Sequence, residues 1–145
     1  MDHSHLNATL RHVPKGYRLV ATSRNGQAVS GFATLGPQVT ASYSAGGPGD
    51  GAANTIEVHH AAEANLELVA AAGHVRAVKV GTFDAVYHDA VNTAVGVDSA
   101  GNTIVEWDHG RHSLTVSSTH GTYAVRAPSS VPYEELVRMI RSMLL

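Results

Sequence analysis

Histidine is the residue type in this sequence with the greatest potential for chemistry, because the chain has ten histidines among 145 residues and no cysteine. Histidine binds metals and transfers protons near neutral pH. Close pairs include His59 with His60 and His109 with His112. Adjacent side chains of a strand point to opposite faces, so His59 and His60 cannot bind one metal ion without a bulge. We therefore predict solvated histidines, no metal site and no stabilisation by zinc.

Nucleophilic catalysis would need a serine or cysteine that a base activates. The lack of cysteine excludes thiolate nucleophiles, zinc–thiolate sites and disulfides. There is no Gly-x-Ser-x-Gly motif, and the hydroxyls and imidazole of residues 117–120 are sequence neighbours that would not face each other in a strand. Glu57, Glu106 and Asp108 would form paired carboxylates only if their strands align. We therefore predict no catalytic residues and no cofactor.

A glycine-rich segment lies between residues 44 and 54. Its glycines and proline exclude a helix or a central strand. A glycine-rich loop can hold a phosphate at a helix N-terminus, but the Gly-Lys-Ser/Thr of a phosphate-binding loop does not follow. We predict a hairpin tip instead, with a contact loop formed by Gly46, Gly47, Gly49 and Asp50.

Charge and length limit the classes of protein to which the chain can belong. The net charge of −2 and the pI near 6.5 leave no basic excess to neutralise phosphates, so we predict no nucleic-acid partner. No apolar run approaches the roughly 18 residues of a membrane span, so none is predicted. We expect residues 1–12 to form a flexible N-terminus and residues 13–145 to form a single domain.

Short segments of β-forming residues between glycine-containing turns indicate an antiparallel sheet. Asn25-Gly26 has the preferred residues of a two-residue hairpin. Residues 62–72 favour a short central helix, which Gly73 would cap. Strands are predicted over residues 17–22, 28–35, 39–43, 55–60, 75–80, 83–88, 94–97, 103–107, 112–118 and 121–126.

The C-terminal residues are predicted to form an amphipathic helix. Ser130 is the predicted N-cap, and Pro132 lies just inside the helix, where its missing N–H costs nothing. One helical face is an apolar stripe that must be buried, and the open face of the sheet is the natural place. The predicted fold is therefore α+β, a meander-like antiparallel sheet with this helix packed on one face. The stripe consists of Leu136, Val137, Ile140, Met143 and Leu144.

Five segments in order carry a resemblance to a known family. They are Val-Pro-Lys-Gly-Tyr at 13–17, Val-Lys-Val-Gly-Thr-Phe-Asp-Ala at 78–85, Ile-Val-Glu-Trp at 104–107 followed by His-Ser-Leu-Thr-Val at 112–116, and the helical segment 133–143. The chain resembles the extracytoplasmic domains at the C-terminal ends of membrane-anchored anti-sigma factors and in bacterial lipoproteins. The resemblance covers residues 13–145. It implies a binding or sensor domain without catalytic residues, and an extracytoplasmic location if the chain is part of a longer anchored protein.

The predicted function is therefore a non-catalytic binding or sensor domain. A sheet with a helix on one face leaves its other face free, and that face can bind a peptide, another protein, a lipid or a second copy of the chain as a homodimer. Two alternatives stay open. A small-molecule-binding module would show an apolar pocket lined by several strands, and a small hydrolase-like enzyme using clustered histidines would show histidine and carboxylate within hydrogen-bond reach.

Overall fold

A computed structural model describes residues 6–24, 38–45, 54–62 and 75–144. These residues contain nine strands and one C-terminal helix, which confirms the antiparallel sheet and the helix that the sequence predicts. In chain order the elements are β1 (Arg18–Arg24), β2 (Gln38–Ser44), β3 (Thr55–Ala61), β4 (Val75–Val80), β5 (Phe83–His88), β6 (Val91–Val97), β7 (Thr103–Asp108), β8 (Arg111–Ser118), β9 (Gly121–Pro128) and α1 (Tyr133–Leu144).

Seven strands form one antiparallel sheet in the order β1-β2-β3-β9-β8-β5-β4. The strands β6 and β7 form a separate two-stranded ribbon that leaves this sheet after β5 and returns at β8. The topology therefore differs from a simple meander in two places, because β3 pairs with β9 and β8 pairs with β5 rather than with β7. In this order the buried Leu114 of β8 lies opposite Tyr87 on one side and the buried Val125 on the other.

One face of the main sheet, here called the inner face, carries the hydrophobic core. Its residues follow the period of two that β-strands impose. In β2, which covers the strand predicted over residues 39–43, Val39, Ala41 and Tyr43 are buried, and their partners in the next strand are buried too. Tyr43 pairs with Ile56, which is 0% exposed. The register therefore aligns the apolar positions of neighbouring strands in continuous rows.

The C-terminal helix packs on this inner face against β8 and β9. Leu136 and Ile140 of the predicted stripe are fully buried, and so is Met139, which the prediction omits. The predicted N-cap was wrong by two residues. The carbonyl of Pro132 accepts the N–H groups of Glu135 and Leu136, so Pro132 itself precedes the first helical residue.

Residues 6–12, here called the N-terminal strap, also cover the inner face. Leu6, Ala8 and Leu10 are 1%, 1% and 6% exposed and belong to the core, whereas Asn7 and Thr9 are exposed. We expected the domain to begin at residue 13, and this boundary needs correction because the core includes residues from Leu6 onwards. Of the predicted flexible terminus, residues 1–5 lie outside the described part of the chain.

Side chains of other elements provide the polar contacts of the strap. The Leu10 N–H donates to the Tyr43 hydroxyl (2.8 Å) and the Arg11 N–H to the Ser142 hydroxyl (3.2 Å). His12 Nε2 lies 2.6 Å from Glu135 Oε2, and this hydrogen bond lowers the pKa of the Glu135 carboxyl. The strap therefore connects β2 to α1.

Three predicted elements lie outside the described residues. They are the Asn25-Gly26 hairpin, the strand over residues 28–35, and the central helix over residues 62–72 apart from Ala62, which follows β3.

Candidate functional site

A row of polar side chains crosses the outer face of the main sheet, opposite the core. Strand register places Ser42, Glu57, Arg126, Ser113 and His88 side by side on β2, β3, β9, β8 and β5. All five residues are partly buried. We call this set the polar row.

Glu57 is the carboxylate of the polar row. Its Oε1 lies 3.9 Å from Arg111 Nη2 and its Oε2 lies 3.8 Å from His59 Nε2. The neighbouring His59 imidazole lowers the pKa of Glu57, burial opposes this, and the positive charges of Arg126 and Arg111 lower it further. Arg111 Nη2 also donates to the Thr55 carbonyl at 2.9 Å. Glu57 is therefore ionised between two arginines.

Burial also acts on the basic members of the polar row. It lowers the pKa of Arg126, while the Glu57 carboxylate raises it. Burial is the largest cause of the lowered pKa of His88, the charge of Arg126 adds to it, and Asp89 opposes both. His88 is thus neutral at pH 7.

The hydrolase alternative requires a serine within hydrogen-bond reach of a histidine, and the polar row contains one residue of each type. Ser113 lies opposite His88 in the register of β5 and β8. Activation of a serine requires a hydrogen bond to its base, and His88 Nδ1 has no hydrogen-bond partner among the described residues. On this half-buried sheet face the row brings the Glu57 carboxylate close to the positive charge of Arg126.

His60 connects three parts of the inner face and is 1% exposed. Its Nδ1 accepts the Asn7 N–H at 3.0 Å, and its Nε2 lies 2.8 Å from the His120 carbonyl. An acceptor nitrogen carries no proton, so His60 is the neutral tautomer that donates from Nε2. Its ring stacks on Tyr123 with centroids 4.0 Å apart.

His112 forms a second buried contact on the inner face, close to the start of α1. Its Nδ1 lies 2.9 Å from the Tyr87 hydroxyl, and the Tyr87 ring makes an edge contact with Tyr133 at 4.9 Å. Burial lowers the pKa of His112, while the carbonyls of Val131 and Pro128 raise it.

The prediction of solvated histidines was wrong for three of them. His59, His60 and His112 are 4%, 1% and 5% exposed. Each lies on a strand of the main sheet, and the hydrogen bonds of His60 and His112 come from elements distant in sequence. Within the described ranges, no three histidine or carboxylate side chains converge as the ligands of a metal ion would.

The strand β1 forms one edge of the main sheet among the described strands. Its residues from Arg18 to Ser23 are all exposed, including the large apolar side chains of Leu19 (45%) and Val20 (52%). A bulge at Val20 separates the pairs Leu19–Tyr43 and Ala21–Ser42. Leu19 therefore extends the apolar inner face to the rim of the sheet.

The opposite edge, β4, has a different chemistry. Arg76 and Lys79 are exposed on it, and Lys79 pairs with the Asp84 carboxylate at 2.5 Å. Val80 is buried and Val78 is half-buried. Charged side chains on an edge strand oppose pairing with further strands. Among the described strands, β4 has such charges in its middle, whereas β1 is uncharged from Leu19 to Ser23.

The predicted contact loop lies outside the described residues, and two of the predicted carboxylates lie outside the described side chains. Gly46, Gly47, Gly49 and Asp50 lie outside the described residues. The backbone of Glu106 belongs to β7, but its side chain is not among those described, and the same holds for Asp108 and Trp107.

Sequence analysis missed both the strap and the polar row. The alternation of Leu6, Ala8 and Leu10 with polar residues was a signal for an extended, half-buried strap. The polar row has no local signal, because Glu57 and Arg126 become neighbours only through the pairing of β3 with β9.

In comparisons with known proteins, no family model, no curated protein and no solved structure matches this chain. Among the described residues, no helix has the length and apolar character of a membrane span.

Proposed function

We propose that this chain is a non-catalytic binding domain of the extracytoplasmic sensor type, and that it binds an extended segment of a protein partner along β1. The observation that carries the proposal is the exposure of β1 from Arg18 to Ser23 together with two large apolar side chains, Leu19 and Val20. An exposed sheet edge offers unpaired N–H and C=O groups to an added strand.

The bulge defines which part of β1 can pair. A bulged residue interrupts the hydrogen-bond ladder locally, so the regular part of the edge runs from Ala21 to Arg24. Leu19 and Val20 lie next to this regular part of the edge, and their side chains supply apolar contacts to the partner in addition to the main-chain hydrogen bonds. Backbone pairing would give affinity, and these two side chains would give selectivity for apolar residues.

The test is hydrogen exchange with a defined peptide. A blocked nine-residue peptide of alternating valine and threonine, with two glutamines at each end, should slow amide exchange in β1 on binding. Leu19→Ser combined with Val20→Ser should raise Kd at least fivefold, and Ala77→Ser on the opposite edge should leave it unchanged. Unchanged exchange in β1 at millimolar peptide, or protection of β4 instead, would overturn the proposal.

A further inference from the structure

We propose that the N-terminal strap opens with acid, because protonation of His60 releases its first half, residues 6–9, while its second half, residues 10–12, stays bound. The Asn7 N–H donates to His60 Nδ1 at 3.0 Å, and His60 Nε2 lies 2.8 Å from the His120 carbonyl. One buried ring thus connects the strap to the turn between β8 and β9. This inference does not depend on binding at β1.

Only the neutral His60 ring can make both contacts. A backbone N–H can only donate, so Nδ1 is the nitrogen without a proton and Nε2 carries the ring proton. A proton added at Nδ1 would bring two N–H groups face to face, and the Asn7 N–H would lose its acceptor. The open strap therefore binds one proton more than the closed strap, so a fall in pH through the range in which histidine titrates favours opening.

The described groups around the His60 ring come from four elements. The Tyr123 ring of β9 stacks on it at 4.0 Å, and burial raises the pKa of this phenol, which is therefore uncharged. In the register of the sheet, β2 places the apolar Val39 opposite His60. The strap contributes the uncharged Asn7, and the turn contributes the titratable His120, which binds the ring through its backbone carbonyl.

The charged and titratable neighbours of His60 along its own strand lie on the other face of the sheet. Side chains alternate along a strand, so Glu57 and His59 of β3 belong to the outer face, as does Arg126 opposite Glu57. His60 is thus the titratable side chain of β3 that meets the strap.

The second half of the strap has contacts that acid does not break. The N–H groups of Leu10 and Arg11 donate to side-chain hydroxyls of β2 and α1, and a hydroxyl keeps its acceptor lone pairs when the pH falls. His12 Nε2 lies 2.6 Å from Glu135 Oε2. This carboxyl stays ionised in mild acid because the hydrogen bond to His12 lowers its pKa, and a protonated imidazole binds a carboxylate more strongly than a neutral one.

Acid should therefore lift one end of the strap and leave the other in place. Leu6 and Ala8 are each 1% exposed and belong to the core. Opening up to Leu10 would expose these two side chains and the part of the apolar inner face that they cover. The inner face would then present an apolar surface in acid that it does not present at neutral pH.

The test is amide exchange of the full chain by NMR, with each rate divided by the intrinsic rate at the same pH. From about pH 7.5 to about pH 5, protection of the Asn7 N–H should fall about tenfold or more, and protection of the Leu10 N–H should change less than about twofold. Unchanged protection of Asn7, or an equal fall at Leu10, would overturn the inference.

Two variants separate His60 from the other buried histidines. His60→Gln keeps an acceptor and a donor but cannot titrate, so its Asn7 protection should not depend on pH. His88→Gln with His112→Gln should keep the fall of the wild type. A fall in the His60 variant, or its absence in the other, would overturn the inference.

A measurement on the wild type decides the question even if His60→Gln does not fold. The ¹⁵N shifts of the His60 ring should show an unprotonated Nδ1 and a protonated Nε2 at about pH 7.5. A proton on Nδ1 at that pH would overturn the inference. None of these outcomes bears on the proposed function, which the peptide experiment at β1 tests separately.

Discussion

Truncating the buried leucines of the N-terminal strap distinguishes a packed strap from a loose terminus. Leu6 and Leu10 are 1% and 6% exposed, and Leu→Ala at such positions typically costs about 2–5 kcal/mol. For 145 residues the entropy of unfolding is about 0.3 kcal/mol/K, so each kcal/mol lowers Tm by about 3 °C. We expect Leu6→Ala and Leu10→Ala each to lower Tm by about 6–15 °C.

The assay is a calorimetric melt of each variant beside Thr9→Ala. The Thr9 side chain is exposed on the same strap, so its truncation should change stability by less than about 0.5 kcal/mol. Tyr43→Phe adds an independent check, because it removes the acceptor of the Leu10 N–H and should cost about 1–3 kcal/mol. Wild-type Tm values for both leucine variants would refute the packed strap.

Three further predictions concern the sheet, its histidines and the helix. Gly121 has a φ of +116° and lies against a carbonyl of β3, so Gly121→Ala should cost about 3 kcal/mol or more, whereas Gly81→Ala, with a φ of +61° and open space around it, should cost about 1–2 kcal/mol. Folding lowers the pKa values of His88 and His112, so the unfolded chain binds more protons than the folded chain below about pH 6.5. The urea midpoint of unfolding should therefore fall as the pH is lowered from about 7.5 to about 5.5, and it should fall less in the variant that combines His88→Gln with His112→Gln. Ile140→Ala should cost about 2–5 kcal/mol by thermal melting, because its side chain is fully buried.

Each of these has a contrary outcome. Equal losses for the two glycine variants would show that the contact of Gly121 with β3 is unimportant. A urea midpoint that rises on acidification would contradict the lowered histidine pKa values. An unchanged Tm for Ile140→Ala would mean that α1 does not cover the sheet.

Local patterns were sufficient to predict much of the sheet. The alternation of Val39, Ala41 and Tyr43 predicts a half-buried strand, and the structure has one at Gln38–Ser44. The apolar stripe of the helix is equally local, since it repeats within a few turns. Predictions from such patterns do not depend on which strands pair, and for that reason they were correct.

Long-range contacts decide what the sequence could not predict. Burial of His60 is tolerable because Asn7 and the His120 carbonyl satisfy its two nitrogens, and no pattern around residue 60 predicts these partners. Met139 was missed because it borders the apolar stripe that was assigned. The edge position of β1 among the described strands depends on the strand order, which only the structure gives.

The pairing of β3 with β9 has a consequence for the order of folding. Most ladders of the main sheet join strands that are close in the chain, such as β8 and β9 across a two-residue turn. The ladder instead joins residues that are 69 positions apart at Glu57–Arg126 and 61 apart at Ala61–Thr122, which is a little under half of the 145-residue chain. Closing long loops costs entropy before any contact repays it, and non-local pairing slows folding. We expect the strands β1 to β3 to form one group and β4, β5, β8 and β9 to form another. The helix and the strap should pack only after the pairing of β3 with β9 has joined the two groups.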